Sequence, residues 1–121
     1  MHELSIAQSL IDLLSEQLAD EPAARVAVVH LKIGELSGVV PAALSSAFAI
    51  ARQDTALDGA ELKIESVAPR IWCDRCDSEQ SAVSLQNMAC VVCGQPSADV
   101  RAGRELEVTQ MEIVEESPDA V

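Results

Sequence analysis

Two cysteine pairs, Cys73-Asp74-Arg75-Cys76 and Cys90-Val91-Val92-Cys93, constrain this chain more than any other feature. Each C-x2-C pair closes a tight turn that aims two sulfurs the same way. The 13 residues between Cys76 and Cys90 are enough to bring the two turns face to face. Four thiolates so placed form the ligand set of a tetrahedral Zn(II) ion, with Zn–S bonds of roughly 2.3 Å. A closed four-sulfur shell leaves no position for water or substrate, so the expected site is structural. An iron centre accepts the same sulfurs, and a reactive dithiol is the other chemistry of C-x2-C. Two matched knuckles fit closed metal ligation better than an isolated redox pair, which needs an electropositive setting. The shell therefore explains a fold, and the activity has to be sought elsewhere.

With 121 residues the chain makes one domain, or one domain carrying a small insert. Apolar residues are 49% of it, yet there is one Phe, one Trp and no Tyr, so the core must be aliphatic. Twenty acidic and eight basic residues give a formal charge of −12. That surface repels phosphate backbones, and the missing aromatics remove stacking platforms, so no nucleic-acid partner is expected. No apolar run approaches the roughly 18 residues of a membrane span, and no basic segment followed by an apolar one opens the sequence. The expected location is cytoplasmic, away from membranes, where thiols stay reduced and hold metal in preference to forming disulfides.

Leu4, Ala7, Leu10, Ile11, Leu14 and Leu18 recur at helical spacing and predict a helix over about residues 5–19, ended by Glu21-Pro22. Residues 25–33 alternate as a half-buried strand. Ala27, Val29, Leu31 and Ile33 lie on one face, with Val28, His30 and Lys32 on the other. Pro41 suits the first turn of a second helix whose buried stripe is Leu44, Ala47, Phe48 and Ala51. After a turn at 54–59, Leu62 and Ile64 mark a second strand. Pro69 then opens a stretch poor in apolar residues other than the cysteines. Alternation resumes at Leu106 and Val108, with a phase slip before Met111 that suggests a bulge. The acidic end, 115–121, is expected to fray. The predicted fold class is α+β: a small three-stranded sheet with two helices, plus an inserted zinc-ribbon module. The domain boundaries read as 1–69 completed by 102–121, with the insert at 70–101. A piece of about 32 residues is too small to bury a sufficient core unaided, which is what a structural metal supplies.

The chain begins Met1-His2-Glu3, directly ahead of the first helix. The α-amine of Met1 and the amide nitrogen of His2 can close a five-membered chelate ring. The same amide and the imidazole Nδ1 of His2 close a six-membered one. Three nitrogens in one plane, with a fourth ligand from Glu3 or another group, suit Ni(II) or Cu(II). Amine and imidazole titrate near roughly 7.7–8.0 and 6.5, so affinity should fall as pH drops through that range. A solvated terminus, with Glu3 complementing the helix dipole, is the plain alternative.

The opening Met-His-Glu-Leu-Ser-Ile-Ala-Gln-Ser-Leu (1–10), the loop Ile33-Gly-Glu-Leu-Ser-Gly-Val-Val-Pro41 and the cysteine insert at 73–93 together resemble the HypA/HybF family of hydrogenase-maturation nickel metallochaperones. The likeness covers nearly the whole chain, in the same order. It implies an α/β nickel domain with a zinc-ribbon domain, Ni(II) held by the Met-His-Glu segment through His2 and Glu3, with the Met1 amine as a possible further ligand, and Zn(II) held by Cys73, Cys76, Cys90 and Cys93. It implies as partners a maturation GTPase and the large-subunit precursor of a [NiFe]-hydrogenase, with urease maturation a further role in the family. Knuckles of this family often carry Gly after the second cysteine and Pro after the third, where this chain has Asp77 and Val91.

The expected function is thus a nickel metallochaperone, not an enzyme, that binds Ni(II) at its N-terminus and delivers it for [NiFe]-hydrogenase maturation. A zinc-ribbon adaptor without nickel transfer is the alternative, and a thiol redox protein a third. Short strands are compatible with a homodimer formed edge to edge or by swapping. His30, the only other histidine, reads as a satisfied surface residue, and Glu35 as a solvated loop carboxylate able to approach the N-terminus. Trp72 reads as packing the insert against the main domain, and Glu115, Glu116 and Asp119 as solubilising acids.

Overall fold

The computed structural model describes residues 3–115. Helix α1 spans Glu3–Gln17 and buries Ile6, Ala7, Ile11 and Leu14, one stripe at i, i+4, i+7 spacing. It starts two residues earlier than the apolar pattern indicates, so Glu3 is itself helical and lies in the first turn, where its charge complements the dipole. It also ends two residues earlier. Leu18 N–H donates to Ser15 O at 3.1 Å and Ala19 N–H to Glu16 O at 3.2 Å, the tightened i to i+3 pattern of a helix terminus. Leu18 nevertheless stays buried.

Strand β1 is Ala24–Gly34. Val29, Leu31 and Ile33 are buried as the alternation predicts, but Ala27 is only half-buried while Ala24 and Val26 are buried. The pleat therefore changes phase between Val26 and Val29, which strict alternation misses. Helix α2, Pro41–Ala51, opens with Pro41 at the position where the missing N–H costs nothing, after an extended Val40 with no side-chain cap. Leu44 and Phe48 are its buried residues, and Ala47 and Ala51 are half-buried.

The segment from α2 to the next strand does more than turn. Thr55 Oγ1 donates to Arg52 O at 2.6 Å and accepts from Leu57 N at 3.1 Å, and the Arg52 guanidinium donates to Ala60 O. These bonds hold Leu57 and Ala60 fully buried. Strand β2 is Glu61–Val67. Three short strands follow around the cysteines: β3 Arg70–Cys73, β4 Ser78–Ser81 and β5 Val100–Ala102. Strand β6, Leu106–Glu115, closes the described chain, with Val108 and Met111 its half-buried positions.

Among the described residues there are two three-stranded sheets, ordered β2-β1-β6 and β4-β3-β5. The fold is α+β; the described residues hold two helices, one sheet of long strands and one small sheet whose central strand ends at Cys73. The chain divides into two compact units. One takes described residues 3–31, 39–64 and 108–115, and the other takes 32–38 and 65–107. The first has an apolar core built on Ile11, Leu14, Val29, Leu31, Leu44, Phe48 and Leu57, aliphatic but for Phe48. In the second, Gly34 lies against Gly103 so closely that a Cβ on Gly34 would sit 2.0 Å from the Gly103 carbonyl oxygen. Gly34 N–H donates to Glu105 O at 2.7 Å and Leu36 N–H to Gly103 O at 2.6 Å, which is what draws the two backbones together. No described residue with a polar side chain is buried. No described helix is long and apolar enough to cross a membrane.

Candidate metal centre

Antiparallel pairing of β3 with β4 runs from Arg70 opposite Ser81 to Cys73 opposite Ser78. The first cysteine of the first pair thus ends a strand, and Cys76 sits in the turn that reverses it. The second pair is held differently. Ala82 bridges Cys90 and Ala89 bridges Pro96, each antiparallel, so Cys90 is pinned and Cys93 occupies the following turn. Cys76 N–H donates to Cys73 Sγ at 3.4 Å, and Gly94 N–H donates to Cys90 O at 2.8 Å. Each turn is completed by a left-handed residue after its second cysteine, Asp77 at φ 51° and Gly94 at φ 79°. Asp77 stands where Gly would be easier, but a short polar side chain tolerates this conformation.

The two knuckles meet. All four Sγ atoms lie within 4.8 Å of one another, with Cys73–Cys93 at 3.5 Å and Cys76–Cys90 at 3.9 Å. Four sulfurs at roughly 2.3 Å from a central ion have tetrahedral edges of about 3.8 Å. The donor set and its spacing fit a metal such as zinc. Cys73 and Cys90 are buried, while Cys76 and Cys93 are half-buried. Ile71, Cys73 and Cys90 form the centre of the module, with Cys76, Ala82, Met88, Cys93 and Val100 packed on it.

Crowding also sets the acidity of the thiols. Burial, reinforced by its hydrogen bonds with the Cys73, Cys93 and Cys90 sulfurs, pushes Cys76 up to about 12. Cys90 is drawn down to about 7, chiefly by the backbone N–H of Cys93. At Cys93 the Gln95 amide pulls downward, but burial and the Cys73 and Cys90 sulfurs outweigh it and the thiol rises. Four like groups this close cannot all ionise without a cation among them.

A second set of contacts braces the first knuckle. Trp72 Nε1 donates to Asp74 Oδ1 at 3.1 Å, and the Arg101 guanidinium lies 5.0 Å above the indole ring. Arg101 is held in place by a two-pronged pair to Asp99, both bonds 2.8 Å. That guanidinium keeps the Asp99 carboxyl below its usual range. Ser97 Oγ donates to Trp72 O at 2.7 Å. These partners of Trp72 belong to its own unit, and nothing in the sequence pattern pointed to Asp74, Asp99 or Arg101 as its neighbours.

Of the residues assigned to nickel, Glu3 is the first residue of α1, and Met1 and His2 lie outside the described residues, as do Glu116 and Asp119. His30 Nε2 is 2.6 Å from Glu112 Oε2, and His30 O accepts from Thr109 Oγ1 at 3.4 Å, so it is a satisfied surface histidine. Glu35 is exposed and donates its backbone N–H to Val67 O at 2.9 Å.

Comparison with known proteins agrees with this architecture. The family described as "Hydrogenase/urease nickel incorporation, metallochaperone, hypA" matches residues 1–113. A hydrogenase maturation factor HypA of Roseiflexus sp. (strain RS-1) is 40% identical over 120 residues, covering 99% of this chain and 98% of that one. Its counterpart in Chloroflexus aurantiacus (strain ATCC 29366 / DSM 635 / J-10-fl) is 41% identical over 112 residues, covering 93% and 98%. Among solved structures, the nickel metallochaperone HypA from Helicobacter pylori superposes with a TM-score of 0.64 at 27% identity, covering 96% of this chain and 100% of that one. With a fold, a four-cysteine cluster and relatives that all agree, the chain belongs to the HypA family of hydrogenase and urease nickel-incorporation metallochaperones.

Proposed function

We propose that this protein is a nickel carrier, not an enzyme, that takes up Ni(II) at Met1, His2 and Glu3 and hands it to the large-subunit precursor of a [NiFe]-hydrogenase. The observation that carries this reading is the family match over residues 1–113, which takes in the Met-His-Glu opening together with both cysteine pairs. The cargo site would use the α-amine, the His2 amide and imidazole nitrogens, and a fourth donor such as Glu3. Such a chelate would suit ligand exchange with a recipient's thiolates. Cys73, Cys76, Cys90 and Cys93 would hold Zn(II), whose role is to supply the folding energy that a module with so small a core lacks. The boundaries proposed are a nickel domain of 1–69 completed by 102–121 and a zinc-ribbon insert of 70–101. A maturation GTPase of the same route is the second proposed partner, and the cytoplasm the proposed location.

Titration of untagged protein with Ni(II), beside His2→Ala and an N-terminally extended form, tests the reading. Loss of a ligand should weaken nickel by roughly tenfold or more, since even outer contacts of a metal site cost 10–100-fold. Zinc content should stay at one ion per chain in all three. Equal nickel affinity in the three proteins would instead favour an adaptor that transfers no nickel.

A further inference from the structure

We propose that the cysteine cluster is also a thiol-oxidation site, at which peroxide-class oxidants join the knuckles crosswise, Cys73 to Cys93 and Cys76 to Cys90. This goes beyond the carrier reading and makes no use of nickel.

Four cysteines allow three pairings. The sulfur contacts of 3.5 Å and 3.9 Å each join one knuckle to the other. A disulfide needs about 2.05 Å, so these pairs close by a small approach along a line on which they already face. Bonding inside a knuckle is costlier. It would disturb the turn in which Cys76 N–H donates to Cys73 Sγ and Gly94 N–H to Cys90 O. The third pairing, Cys73–Cys90 with Cys76–Cys93, is opposed by exposure. Cys73 and Cys90 are buried and Cys76 and Cys93 half-buried, so oxidant reaches Cys76 and Cys93 first. Each crosswise pair gives one reachable sulfur a buried partner waiting beside it.

The chemistry is complete with hydrogen peroxide alone. The Cys93 sulfur, once it has given its proton to solvent, attacks one peroxide oxygen; an S–O bond forms as the O–O bond breaks, and the departing hydroxide takes up a proton and leaves as water. Cys73 sulfur then attacks Cys93 sulfur, an S–S bond forms as the S–O bond breaks, and a second water carries off the remaining proton. Two thiols and one peroxide become one disulfide and two waters, and Cys76 with Cys90 repeat the sequence. The two links close nested loops, 76–90 inside 73–93, and keep the turns facing one another without a metal. Links within each knuckle would leave 77–89 free to let them part. Dithiol reduction returns all four thiols, so the module can lose its ion under oxidation and recover it later.

Full-length protein is treated with hydrogen peroxide and no chelator, so that the module is folded when it is oxidised; remaining thiols are alkylated, and the product is digested with trypsin and elastase. Trypsin cuts after Arg75, and elastase can cut after Val83 and between Val91 and Val92, which separates all four cysteines. The expected product has an intact mass lower by four hydrogens, yields Cys73–Cys93 and Cys76–Cys90 peptides above the other pairings, and reverts fully with dithiothreitol. Metal content of the same sample is measured separately, so a failure of the zinc reading would not be mistaken for a failure of the pairing. In Cys73→Ser, Cys93 should be trapped as a sulfenic acid by dimedone while Cys76–Cys90 still forms. Linkage within a knuckle, the Cys73–Cys90 with Cys76–Cys93 pairing, intermolecular disulfides, or a mass gain from sulfinic acid would each overturn the proposal.

Discussion

Asp77 shows how one residue can hold a turn that its neighbours need. At φ 51° it occupies the left-handed region beside the Cys76 sulfur, as Gly94 does beside Cys93 in the opposite knuckle. Left-handed backbone costs an ordinary L-residue roughly 1–2 kcal/mol, and a β-branched side chain tolerates it least. Asp77→Val should therefore destabilise the protein by about 1–2 kcal/mol in chemical denaturation, while Asp77→Asn should be near neutral. Asp99 supports a prediction of another kind. Its carboxyl is lowered by the Arg101 guanidinium, so the folded chain holds its proton less readily than the unfolded chain. The contribution is complete above the ordinary carboxylate value of 3.8 and is lost as pH falls through the lower folded value. Both groups are about half-exposed, at 46% and 52%, so the effect on stability is small and is best read directly. The Asp99 side-chain carboxyl signal in NMR should titrate below 3.8, and Arg101→Ala should move it upward. A midpoint unchanged in that variant would show that the pair does not form in solution. Residue-level legibility was uneven. Cysteine spacing gave the cluster because C-x2-C turns dictate sulfur direction. Leu57 and the Gly34–Gly103 contact were hidden, because each depends on a hydrogen-bonded loop that no periodicity records.

Among the elements, the long ones were readable and the short ones were not. α1, β1, α2, β2 and β6 each carry enough turns or pleats for an apolar pattern to emerge, with errors confined to ends and to the phase change at Ala27. β3, β4 and β5 have four, four and three residues, too few for periodicity to rise above chance. What orders these strands is the sulfur cluster, since Ile71 is the only fully buried large aliphatic among the described residues of the module. Chelation of the metal should accordingly melt residues 70–101 while α1 and α2 keep their amide protection. Hydrogen exchange with and without a chelator measures this, and protection that persists in β3 would mean the small sheet stands without metal. The same thiols fix the pH response. Cys76 and Cys93 are raised and hold protons near neutrality, so metal entry must expel them. Protons compete with the ion, and apparent affinity for zinc rises with pH. Calorimetry in two buffers of different ionisation enthalpy should show proton release on binding, and a heat independent of buffer would contradict that arrangement.

For the molecule as a whole, the strongest term is the charge. A formal −12 spread over 121 residues surrounds a chain whose proposed cargo is a dication. Such a field concentrates cations near the surface and speeds their arrival, while adding little directional preference to a chelate made of nitrogen ligands. Arrival and retention should therefore respond differently to salt. At 0.01 M ionic strength the Debye length is about 30 Å, so acidic residues far apart on the surface act together. At 0.15 M it is about 8 Å, and only the nearest carboxylates are felt. The Ni(II) association rate should fall on the order of tenfold between these conditions, within the range known for electrostatic steering. Dissociation from the proposed nitrogen chelate should change far less. Stopped-flow measurement of both rates, repeated with His2→Ala, separates field from chelate. The variant should lose retention and keep the salt dependence of arrival, because the charge that steers the ion is not the group that holds it. An association rate indifferent to salt would mean that the acidity of this chain serves solubility alone.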